Sequence, residues 1–129
     1  MAKDTGWAFG RGLMGPLQPL IGAWRASADS PMGKVVCERS FAPTLGGKYV
    51  ELRARWVLPK AAYEEIALFG AGADKRLAFW SFTSDGKHSA GMLGAAPEVH
   101  AKAICFEAQM PAGLARFIYW PAAGSGFRF

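Results

Sequence analysis

Residues 47–57, Gly-Lys-Tyr-Val-Glu-Leu-Arg-Ala-Arg-Trp-Val, decide how the chain is read. Successive side chains of an extended strand point to opposite faces, so Val50, Leu52, Ala54 and Trp56 share one side and Tyr49, Glu51, Arg53 and Arg55 the other. A period of two, rather than 3.6, predicts a strand with one buried face. The same period recurs in both directions from this segment, between clusters of glycine and proline. It predicts strands at 21–28, 34–42, 47–57, 63–71, 76–84, 87–95, 100–110 and 114–120, with a helical turn around Pro16 to Ile21. No stretch supports a long helix. Consecutive strands joined by short turns form a meander, and about eight strands of this length favour closure into a barrel over a flat sheet with two open edges. The expected fold is therefore all-β, an antiparallel up-and-down β-barrel of about eight to ten strands. It occupies residues 1–129 as a single domain, with 1–16 as a leader and 122–129 as an incomplete last strand.

Two hairpins carry specific expectations. In RLAFWSFTSDGKHSAGMLGA, Asp85-Gly86 suits a two-residue type I′ turn, because both central positions of that turn need positive φ. Closing Ser84 against Lys87 sets Thr83 opposite His88, Phe82 opposite Ser89, Trp80 opposite Gly91 and Phe79 opposite Met92. In AICFEAQMPAGLARFIYW, Pro111 presets a turn and Gly113 can take a left-handed bulge position. Closing Met110 against Leu114 then sets Phe106 opposite Ile118, Ala108 opposite Arg116 and Ile104 opposite Trp120.

Composition sets outer bounds. The chain is 51% apolar and 19% charged, which is globular, and its 129 residues can bury a core without staples. Asp4, Arg11, Pro16, Gln18 and Pro19 interrupt any signal-like apolar run, and no later run approaches the ~20 residues of a membrane span. A cytoplasmic protein with no membrane insertion is expected. Cys37 and Cys105 are far apart in sequence and read as reduced thiols. The net charge of +5 resides in the first half, with nine Lys/Arg against four Asp/Glu in residues 1–60 and six of each afterwards. Those basic residues are spread singly, so nucleic-acid binding is not expected.

The Gly22-Ala23-Trp24 step at the start of the first strand, after a helical turn, resembles the entry motif of the calycin superfamily: the lipocalins, fatty-acid-binding proteins and nitrobindins. The wider pattern is similar to that of bacterial calycin-like proteins without assigned activity. It consists of Gly46-Gly47, the segment EEIALFGAGADKRLAFWSF and the SDGK turn, and it covers roughly residues 17–121. The resemblance implies a barrel whose base is closed by the Trp. It departs in two places: the chain has only Gly126-Phe127-Arg128-Phe129 for a closing strand, and no histidine follows His100 to serve as a proximal haem ligand.

Several residues are candidates for function. Trp24, Trp56, Trp80 and Phe106 either line a cavity or pack the core. Arg53 would bind a carboxylate or phosphate if its face points inward, as buried arginines do in fatty-acid-binding barrels. Outward is the expectation, since charged side chains are rarely buried. Arg116 sits among apolar neighbours in the expected register, either capping the entry Trp, as the late arginine does in lipocalins, or anchoring a ligand. His88 and His100 read as turn residues. Glu64 and Glu65 are adjacent and point to opposite faces, so they cannot act as a paired acid and base. No nucleophile elbow, phosphate loop or metal-ligand spacing is present, so no catalytic residue, metal or cofactor is assigned. The leading expectation is a homodimeric protein binding a small apolar or amphipathic ligand inside the barrel. A structural module with a filled barrel, dimerising through an exposed apolar sheet face, is the alternative, and an enzyme of unassigned type the third.

Overall fold

The computed structural model describes residues 10–31, 33–110, 113–121 and 127–128. A 3-10 turn (Gly15–Leu20) leads into β1 (Gly22–Ser30), β2 (Gly33–Thr44), β3 (Tyr49–Leu58) and β4 (Ala61–Ala71). A second short turn (Ala73–Lys75) precedes β5 (Leu77–Thr83), β6 (His88–Gly94), β7 (Ile104–Met110), β8 (Gly113–Pro121) and β9 (Phe127–Arg128). The strands pair in chain order, every neighbour antiparallel, in one sheet curled into a half-barrel. Of the expected last strand 122–129, Phe127–Arg128 pair with β8, and 122–126 and 129 lie outside the described residues. Residues 97–99 and 101–102 are turns, and β7 starts at Ile104 instead of residue 100.

The alternation in β3 sorts as its sequence requires. Val50, Leu52 and Ala54 are buried on the concave face, with Trp56 half-buried beside them, and Arg53 and Arg55 are exposed on the convex one. Register carries this sorting across the sheet, so that Phe41, Leu52 and Ala67 form one inward row and Val50, Phe69 and Phe79 another. Phe106 from β7 completes an aromatic cluster, its centroid 5.0 Å from Phe69 and 5.6 Å from Phe79. Full burial of side chains this size stabilises the fold by roughly 1.5–3 kcal/mol each.

The described strands make a half-barrel. Among the described residues no ladder joins β1 to β8 or β9, and the curl is bridged by side chains. Tyr119 of β8 reaches Phe41 of β2, edge-on at 5.8 Å. At one end of the half-barrel the first 3-10 turn sets Leu17 and Leu20, both 0% exposed, into the core. Gly22, at φ +134, turns the chain from there into β1, so that Trp24 Nε1 donates back to the Leu20 carbonyl at 2.7 Å. The entry Trp thus ties the plug to the first strand and is half-buried, not fully hidden.

Both hairpin registers differ by one residue from expectation. At β5–β6 the loop is Ser84-Asp85-Gly86, three residues long: Thr83 N–H donates to the Lys87 carbonyl and Gly86 N–H to that of Thr83. Only Gly86 has positive φ, whereas a type I′ turn would need it at Asp85 as well. The Asp85 carboxylate prefers to accept from the Thr83 hydroxyl and from Lys87 N–H, which holds the longer loop. Phe79, not Trp80, therefore faces Gly91, and Phe82 faces His88. At β7–β8 Met110 pairs with Gly113, which shortens that loop to two residues. Phe106 faces Phe117, Ile104 faces Tyr119, and Arg116 faces Glu107.

Candidate functional site

The half-barrel encloses a space of about 220 Å³ between β2, β3, β4, β5, β7 and β8. Its apolar wall comes from Leu52, Ala67, Phe69, Phe79, Phe106 and Phe117. Three polar groups enter it: Arg39, Glu65 and Tyr119. A second space of about 240 Å³, sharing Trp56, Glu65 and Phe117 with the first, is also lined by Tyr63, Thr83, Lys87 and His88. Lys87 and His88 are exposed and Phe117 is 38% exposed, so this second space is the mouth of a cup whose opposite end is plugged by Leu17 and Leu20.

Arg39 is the least expected member. It is 7% exposed, on the concave face of β2 between Trp24 and Ala54. Its guanidinium lies 4.8 Å from the Trp56 ring centroid and 5.8 Å from that of Tyr119, and Nη1 donates to the Tyr119 hydroxyl at 3.1 Å. Stacking on indole and phenol is how an arginine tolerates removal from water. Glu65 stands on the same inward row, with Ala54 between it and Arg39. Its carboxylate accepts from Ser81 Oγ at 2.6 Å. Burial pushes the Tyr119 phenol above its ordinary value; the Arg39 charge and hydrogen bond oppose that shift, and the Glu65 charge adds to it. Ala54 and Ala67 are the small residues that leave room between the long side chains.

Of the residues singled out from sequence, Trp56 and Phe106 line the cup. Trp24 packs against the core beside it. Trp80 lies on the convex face in edge contact with Tyr49, at 6.4 Å. Arg53 is on that face too, paired with Glu51 at 2.8 Å, which raises its pKa. Arg116 is also convex, because the one-residue slip of β8 turns it away from Phe106. It donates to the Ala95 carbonyl and pairs with Glu98, far from any capping contact with Trp24. Cys37 and Cys105 are both buried free thiols. His100 accepts a hydrogen bond at Nδ1 from Lys102 N–H.

Sequence reasoning missed Arg39, although a signal existed. Val35, Cys37 and Phe41 share its parity, so the apolar face of β2 carries an arginine. The adjacent Glu38 points to the other face and is exposed. Glu65 has the same signature, sharing parity with Tyr63, Ala67 and Phe69.

Among the described residues no group of three or more His, Cys, Asp or Glu is placed to hold a metal ion, and no helix is long and apolar enough to cross a membrane. The chain matches no family model, no curated protein and no solved structure.

Proposed function

We propose that this protein binds a small amphipathic molecule in the cup, apolar body inward against Phe69, Phe79 and Phe106 and polar end at Arg39, Glu65 and Tyr119. The observation that supports this most directly is a buried arginine facing an apolar space of about 220 Å³. A side chain costly to bury is kept where a ligand would meet it. With the adjoining mouth, the volume falls within the ~300–1,000 Å³ of small-molecule sites, which combine apolar walls with a few convergent polar groups. The resemblance to calycins points the same way.

Native mass spectrometry of protein purified from cells tests the reading, together with thermal melting against a panel of small aromatic and aliphatic fragments. A retained small molecule, or fragment-dependent rises in melting temperature that Ala67→Phe abolishes by filling the space, is expected. A bare mass with no shift for any fragment would reduce the cup to a packing gap.

A second reading has one observation in its favour. Ile66 and Phe82 are cross-strand neighbours on the convex face and are 40% and 56% exposed, an apolar pair that contact with a second copy would cover. A concentration-dependent mass in sedimentation that Phe82→Ser removes would support homodimerisation there.

A further inference from the structure

We propose that the cup selects an uncharged ligand whose polar end both donates and accepts hydrogen bonds, a primary carboxamide or lactam on an apolar body, and that it discriminates against carboxylates and ammonium ions. The inference rests on the ligand-binding reading above and names the chemistry of that same site.

One guanidinium and one carboxylate face a common space, Arg39 on β2 and Glu65 on β4, two strands apart on one inward row with Ala54 between them. Their charges cancel. An arginine facing a cavity alone would be a carboxylate or phosphate receptor. With Glu65 two strands away on the same row, an entering carboxylate leaves the space with a net negative charge and sets two carboxylates against each other beside an apolar wall, where like charges repel more strongly than in water. An ammonium has the mirror problem with Arg39. A carboxamide suits both groups, its carbonyl oxygen accepting from the guanidinium and its N–H donating to Glu65. Neither the buried Arg39 nor the half-buried Glu65 then loses a partner, which is the condition under which polar burial is tolerated.

The surrounding groups fix this arrangement. Trp56 and Tyr119 hold the guanidinium by stacking and a hydrogen bond. The Ser81 hydroxyl donates to one Glu65 oxygen and so orients the carboxylate. Phe69, Phe79 and Phe106 form an aromatic wall suited to a flat apolar body.

The test is isothermal titration of the full chain with 3-phenylpropanamide, 3-phenylpropanoate and 3-phenylpropylammonium, and with toluene as a body without a head. The amide is expected to bind at least about tenfold more tightly than either ion. In Glu65→Gln, which keeps the shape of the wall and removes its charge, the carboxylate is expected to gain about tenfold or more while the amide changes little. A wild-type protein that binds the carboxylate as well as the amide overturns the proposal. So does a carboxylate affinity that Glu65→Gln leaves unchanged. Binding of toluene with none of the three headed compounds also overturns it and leaves the cup reading standing, whereas binding of none of the four brings down both. The wild-type order alone can refute the idea, so the test does not depend on the variant folding.

Discussion

The plugged end of the half-barrel and its open end are made from different materials. At the plug, Leu17, Leu20, Phe41 and Leu52 are almost completely buried within a cluster of aliphatic and aromatic side chains. Towards the mouth, Trp56, Tyr63 and Phe117 keep part of their surface in water and share space with Glu65, Thr83 and Ser89. The first end concentrates stability, and the second leaves a route to the buried Arg39. Loops and rims can carry function only when something rigid positions them, and here the rigid part is the aromatic cluster beneath.

That contrast can be broken by mutation. Phe106→Ala, in the cluster, should cost about 3–5 kcal/mol in urea denaturation, while Phe117→Ala at the mouth should cost far less. Equal losses would erase the distinction between the two ends. Next in size is Gly91→Ala. A Cβ at Gly91 meets the Glu107 carbonyl and the Phe79 ring, so adding one methyl should destabilise by about 1–3 kcal/mol, with β6 and β7 forced apart.

Tyr119→Phe sharpens the comparison through pH. The variant removes the hydroxyl that accepts from Arg39, a loss of roughly 1.5–3 kcal/mol near neutrality. Burial raises the folded-state pKa of Tyr119 above the unfolded value of ~10. Its stabilising contribution is therefore fully present below pH ~10 and is lost as pH climbs through the folded value. Wild type should lose stability in that alkaline range faster than Tyr119→Phe, and the gap between them should narrow. A constant gap would contradict burial as the source of the shift. Trp24→Phe, which deletes the bond to Leu20 that ties plug to sheet, should cost about 1 kcal/mol. Smallest of all, Arg53→Ala on the convex face should leave the denaturation midpoint unchanged within error, because its pair with Glu51 is solvent-exposed.

Much of the site was within reach of sequence alone. Parity places Arg39 with Phe41 and Glu65 with Phe69, and both belong to strands that alternate clearly. Their meeting was not legible, since it requires β2, β3 and β4 in register and Tyr119 brought round from 80 residues away in the chain. Trp80 and Phe79 make the opposite point. Both are large and apolar, either could fill a core, and only the register of β5 against β4 decides that Phe79 goes in.

Side-chain alternation by itself determined that the chain forms successive antiparallel strands, and which residues of β3 lie inside, because burying one face of a pleated strand imposes a period of two. Tertiary structure decided the rest: how far the sheet curls, and which aromatics of β5 and β8 point inward. The reason is arithmetic as much as energetic. Loop lengths of two and three residues are both good hairpins, yet that single residue changes every cross-strand partner, and the choice rests on local hydrogen bonds such as those of Asp85.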